Sequence, residues 1–204
     1  MMAVLYKVAV LLATASVSIG HQHKHHMCPP PFGMKSFDAD RFQGDWYVVS
    51  QYIKVPFAPE GKMCLQLNYI PSGTGENPEA EITVRIKKET ELKDVELRCV
   101  PAGPFRPPGK GSAVSVCVLK LNETKWYPTL QHQILSTDYT SYAVTQTCLV
   151  YYDAHEDEFR RVFAVDVLSR QPSMPKEELQ LLKSIASSGE ADIEKFRDID
   201  NGDC

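Results

Sequence analysis

The chain holds few groups arranged for chemistry, and the first lies near its start. If the leading segment is cleaved after Gly20, the chain begins His21-Gln22-His23. A free amine, two amide nitrogens and the imidazole of a third-place histidine form the square-planar nitrogen set that Cu(II) or Ni(II) favours, and His25 and His26 could add to it. A short polar tail of this kind also reads simply as unstructured chain. The six cysteines are Cys28, Cys64, Cys99, Cys117, Cys148 and Cys204, an even set that favours disulfides over metal or catalytic thiols in an exported chain. None stands in a C-x-x-C, and counting alone leaves their connectivity open. Enzyme signatures are missing: there is no G-x-S-x-G elbow and no H-E-x-x-H. Gly103 to Lys110 has the wrong spacing for a phosphate loop, with Gly111 where Ser or Thr is required. Asn122-Glu123-Thr124 is a glycosylation sequon, expected near a strand end.

Export is itself a reading of the sequence. Residues 1–20 carry Lys7, the apolar run Val8 to Ala13, and the small residues Ser16, Ser18 and Gly20, the build of a secretory signal peptide. No later segment approaches the length of a spanning helix, so no stable membrane insertion is expected. The remaining length suits one domain. A net charge of −4 with scattered cations leaves no basic stripe for phosphate backbones, which argues against a nucleic-acid partner.

The elements that must position any site are mostly strands. Residues 21–36 form a His- and Pro-rich extension, in which Cys28-Pro29-Pro30-Pro31 is fixed as extended chain. After it, strand signals fall at Phe42 to Tyr52, Leu65 to Ile70, Ile82 to Ile86 and Val95 to Val100. Four prolines and three glycines make Pro101 to Gly111 a loop. Strand signals resume at Ala113 to Leu121, Gln131 to Leu135, Tyr142 to Tyr152 and Glu158 to Leu168. One helix is expected: Ser173 caps it, Pro175 fits its first turn, Leu179, Leu182 and Ile185 form its stripe, and Gly189 stops it. Eight strands in sequence fit an antiparallel barrel, or a sandwich of two sheets, with the helix packed outside.

Three motifs in order narrow this further. Phe37-Asp38 precedes Phe42-Gln43-Gly44-Asp45-Trp46-Tyr47, then comes Cys64-Leu65-Gln66-Leu67-Asn68-Tyr69. Later stand Ile134-Leu135-Ser136-Thr137-Asp138-Tyr139 with Tyr142-Ala143 and Cys148, and Leu168-Ser169-Arg170-Gln171-Pro172 before the helix. This layout resembles the lipocalin family, most closely its apolipoprotein D-like branch with the bilin-binding proteins and crustacyanins. The resemblance covers residues 28–204, with the lipocalin domain over 37–204. It implies an all-β fold: an eight-stranded antiparallel up-and-down barrel, the lipocalin calyx, with one C-terminal helix outside.

The resemblance also implies roles. Gly44, Trp46, Thr137, Asp138, Tyr139 and Arg170 form the structural signature, with Trp46 across the closed end, Arg170 over its ring and the turn Thr137 to Tyr139 beside them. Cys28 is expected to pair with Cys148, Cys64 with Cys204, and Cys99 with Cys117, the last departing from the apolipoprotein D pattern. Phe42 and Tyr69 match cavity positions. Asp166, inward by alternation with Ala164 and Leu168, needs a donor or a polar ligand group unless a bulge turns it out. Trp126 and His132 are expected near the open end.

The function implied is a secreted, extracellular carrier of a small hydrophobic ligand such as a bilin, carotenoid, retinoid, sterol or fatty acid, requiring no cofactor and no catalytic group. Two alternatives stand beside it. One is an interaction protein that sequesters mediators or assembles into homo- or hetero-oligomers. The other is an isomerase of the lipocalin type, which would need a free cysteine in the cup where Cys64 better matches a disulfide.

Overall fold

The computed structural model describes residues 27–54, 63–74, 77–88, 91–102, 113–120 and 129–202. A short helix, α1 (Ala39–Phe42), leads into β1 (Gly44–Lys54). There follow β2 (Met63–Thr74), β3 (Asn77–Lys88), β4 (Glu91–Pro101), β5 (Val114–Leu119), β6 (Leu130–Thr137), β7 (Tyr142–Asp153) and β8 (Glu158–Ser169). Each pairs antiparallel with the next, and β1 closes the ring by pairing with both β8 and β2. The eight-stranded barrel is therefore present and the sandwich is not. Helix α2 (Lys176–Ala186) packs on β7 and β8 from outside, and a two-residue strand, β9 (Arg197–Asp198), adds to β1.

Alternation along the strands sorts side chains into two cores. Trp46, Val48, Leu65, Leu67, Ile82, Leu97, Ile134 and Leu168 fill the barrel. Val49, Val144, Phe163, Val165 and Val167 point outward and are covered by Leu182 and Ala186 of α2. A register shift between Val48 and Ser50 reverses the phase of β1, so that Gln51 faces inward opposite Asp166.

Several expectations need correction. Phe42 ends a helix rather than starting a strand, because the Asp38 carboxylate accepts from the Arg41 amide and caps a single turn. Ser173 does not cap α2: the residue before its first turn is Pro175, and no side chain caps it. The α2 stripe is Leu179, Leu182, Lys183 and Ala186, which share one face at i, i+3, i+4 and i+7, while Ile185 lies off that face and is exposed. Lys183 lays its stem on the barrel and carries its ammonium to Asp198. The helix stops at Ala186 with Ser187 as its cap, ahead of Gly189. Neither α1 nor β9 was expected.

The disulfides pin this frame. Cys28 is bonded to Cys148, tying the N-terminal extension to β7 across 120 residues, and Cys99 is bonded to Cys117 across the adjacent strands β4 and β5. Cys64 is also disulfide-bonded; Cys204, its expected partner, lies outside the described residues. So do His21, His23, Asn122 and Trp126. No helix among the described residues is long and apolar enough to cross a membrane.

Candidate functional site

One end of the barrel is plugged by aromatic rings. Phe37 meets Phe42 edge-on with centroids 5.2 Å apart, Phe42 stacks on Trp46 at 4.9 Å, and Trp46 is fully buried. The Trp46 Nε1–H donates to the Phe42 carbonyl at 2.9 Å. Arg170, the residue after β8, sets its guanidinium 3.7 Å from the Trp46 ring centroid, a contact worth roughly 0.5–2 kcal/mol. The same guanidinium donates to the carbonyls of Asp45 at 2.8 Å, Phe42 at 3.2 Å and Tyr139 at 3.2 Å, spending its fixed fork on backbone. Gly44 sits at φ 94°, a backbone conformation that favours glycine, and a Cβ there would just touch Arg170 Nη1 at 3.4 Å.

The turn Thr137 to Tyr139 joins the plug. Asp138 accepts from the amides of Thr140, Ser141 and Tyr142 at 3.0, 2.8 and 3.0 Å. Burial works against its charge, but the bonds from Ser141, Tyr142 and Thr140 hold the carboxyl well below its ordinary range. Tyr139 donates its hydroxyl to the Ser36 carbonyl and accepts from the Asp38 amide, and Arg41 lies over its ring at 4.3 Å. The Trp46 indole, the Arg170 guanidinium, the Asp138 carboxylate and the Tyr139 hydroxyl are each bonded to another part of the protein.

Beside the plug, against α1, lies a cavity of about 50 Å³, bounded by Phe37, Phe42, Tyr69, Ile82, Cys99 and His132 among others. Phe42 meets the Tyr69 ring edge-on at 4.8 Å. The Tyr69 hydroxyl is hydrogen-bonded to His132 Nε2, and His132 Nδ1 lies 3.0 Å from Thr147 Oγ1. One ring nitrogen donates and the other accepts, so a neutral imidazole is fully satisfied. Burial pushes His132 down to about 4 and keeps it neutral, and burial with the nearby Asp166 charge pushes the Tyr69 phenol well up.

His132 thus sits beside Tyr69 in the half of the barrel that α1 closes, correcting the expectation of an open-end position. Strand stagger is the reason: His132 pairs with Ser115, the second residue of β5, and Tyr69 pairs with Gly44, the first of β1. Phe42, Tyr69 and His132 are brought together on one cavity.

Asp166 stands on another wall, facing inward as alternation implied. It is buried, and its Oδ1 accepts from Gln51 Nε2 at 2.7 Å. Burial lifts its carboxyl to about 6 against the pull of that bond. Opposite it on β7 is Thr145, fully buried, whose hydroxyl has no partner. Gln51, Thr145 and Thr147 were not anticipated from sequence. A usable signal was there for the threonines, since Ala143, Thr145 and Thr147 alternate on one face of the strand. Gln51 gave none, because the bulge that turns it inward leaves no mark in composition.

No group of three or more metal-ligating side chains occurs among the described residues. No protein-family model matches the chain. Apolipoprotein D of Rattus norvegicus is 26% identical over 205 residues, spanning 100% of this chain and 98% of that protein. Apolipoprotein D of Mus musculus is 27% identical over 208 residues, with 100% and 98% covered. Among solved structures, insecticyanin from the tobacco hornworm Manduca sexta superposes with a TM-score of 0.61 at 19% identity, over 85% of this chain and 86% of that one. Lobster apocrustacyanin A1 gives 0.52 at 17% identity, over 78% and 77%. The chain has the lipocalin calyx as its fold and is similar to apolipoprotein D along its whole length.

Proposed function

We propose that this protein is a secreted carrier that holds a small hydrophobic molecule inside its barrel. The observation that carries the reading is the closed end of the barrel: it is shut by Phe37, Phe42, Trp46 and Arg170, and the cavity beside Phe37 and Phe42 is walled mainly by apolar and aromatic side chains with a few polar groups. That is the make-up of a site for an apolar ligand fixed by a few hydrogen bonds. The cavity of about 50 Å³ is small beside whole-ligand sites, so it takes one end of a molecule whose remainder extends along the barrel. Phe42, Tyr69, His132 and Asp166 are the proposed contacts among the described residues, and bilins and carotenoids remain proposed ligands alongside retinoids, sterols and fatty acids.

The disulfides Cys28–Cys148 and Cys99–Cys117 support an oxidising, extracellular setting. Non-enzymatic action is part of the proposal: Cys64 is bonded, so it offers no thiolate to the isomerase reading. Native mass spectrometry and absorption spectroscopy on protein taken from its own source, without delipidation, test the carrier. A bound small molecule is the expected result. Protein that is empty and also fails to bind apolar fluorescent probes would overturn the reading.

A further inference from the structure

Resting on that carrier reading, we infer that the ligand's inward end donates hydrogen bonds: the barrel accepts an apolar molecule ending in a hydroxyl, amine or other N–H, and rejects one ending in a carboxylate.

The polar groups of the interior divide into two sets. Tyr69, His132 and Thr147 bond to one another and have no unmet need. Asp166 and Thr145 do. The Asp166 carboxylate receives one hydrogen bond, from Gln51, although a carboxylate has about four acceptor sites. The Thr145 hydroxyl, directly across the β7–β8 pair, is fully buried and receives none. Both side chains stand on the inner face, two residues from Ala143 and Leu168 of the apolar layer that rests on Trp46. An under-filled carboxylate and an unpartnered hydroxyl, which can itself donate or accept, stand on adjacent strands, and the charged member of the pair sets a pole that a ligand's donor would satisfy.

The sign of the pole follows from what surrounds it. The buried cations among the described residues are Arg161 and Lys183. Both are spent outside the barrel, Arg161 on the Met27 carbonyl and Glu190, Lys183 on Asp198. His132 is neutral. A carboxylate arriving beside Asp166 would meet a like charge with no cation to share, whereas a hydroxyl or ammonium meets an acceptor.

Three probes of equal chain length, hexadecylamine, hexadecanol and hexadecanoate, should be competed against one fluorescent apolar reporter at pH 7.5. The amine and the alcohol are expected to bind at least tenfold more tightly than the carboxylate. Asp166→Asn, which keeps shape and removes charge, should bring the three within about threefold of one another. Equal or tighter binding of hexadecanoate by the native protein would overturn the inference while leaving the carrier intact. Preference that persists unchanged in Asp166→Asn would do the same. Failure of the reporter and all three probes to bind would overturn the carrier and this inference with it.

Discussion

The plug and the Asp166 layer are neighbours inside one barrel, yet they are built on opposite rules. Around Trp46, donors and acceptors are matched within the protein: the indole N–H to Phe42, the Arg170 fork to three carbonyls, the Asp138 carboxylate to three amides. One layer up, a carboxylate and a hydroxyl are buried with less than they can accept. The difference teaches where stability and recognition are separated. A region that has satisfied itself contributes to folding and has nothing to offer a ligand; a region left partly unsatisfied costs stability and has something to offer.

The largest effect should come from the plug. Trp46→Ala removes the ring that touches Phe42 and Arg170, and thermal or denaturant unfolding should show a loss of about 3–5 kcal/mol. Among molecules that remain folded, the preference among head groups should be unchanged. A shift in preference without a loss of stability would erase the contrast between the two layers.

The second effect has the opposite sign. Asp166→Asn should stabilise the protein by ~3 kcal/mol at neutral pH, because burial lifts this carboxyl from 3.8 to about 6. A group whose folded-state pKa is raised contributes fully below its unfolded value, and that contribution is lost as pH climbs through the folded value. The advantage of the variant should therefore be absent below 3.8 and grow up to about 6. The groups facing Asp166 are Gln51 on β1, Thr145 on β7 and the Tyr69 phenol on β2, and none of them changes charge in that window. His132, held at about 4, has the reverse dependence, losing stability as pH falls from 6.5, but it is common to both proteins and cancels in the difference. Paired unfolding curves across this range would read it.

Tyr69→Phe should have the smallest effect, about 1–2 kcal/mol of destabilisation from stranding a buried ring nitrogen of His132. Nuclear magnetic resonance titration of His132 would confirm that the imidazole lost its partner. Head-group preference should persist, since the Asp166 and Thr145 pole does not depend on this chain of bonds.

Much of the barrel was legible because strand burial writes itself as alternation: Leu65, Leu67 and Tyr69, or Ala164, Asp166 and Leu168, announce one face directly. The depth of a residue along the barrel axis was not legible. His132 was expected near the open end and lies against Tyr69, because depth depends on the stagger accumulated over the four strand pairings between β2 and β6 and not on position within β6. Helix α1 was hidden by its brevity, since a four-residue helix containing Phe42 looks like the aromatic start of a strand. The α2 stripe was misread through Ile185, an apolar residue on the wrong side, while Lys183 was passed over because its stem and not its charge does the covering.

The tail after α2 sets the order in which this barrel can be finished. β1 and β2 are paired only from Gly44 to Tyr47; beyond that, the free edge of β1 is taken by β9 at Ser50 and Gln51. Asn201 bridges the gap, accepting from the Leu65 amide at 3.0 Å and donating to the Val48 carbonyl at 2.8 Å. Leu65 precedes Asn201 by 136 residues. During synthesis the first two strands emerge early, yet the side chain that joins them beyond their short ladder emerges only after every other strand has left the ribosome. The seam is therefore the last part of the barrel to close, and a nascent chain must carry it open through most of its translation.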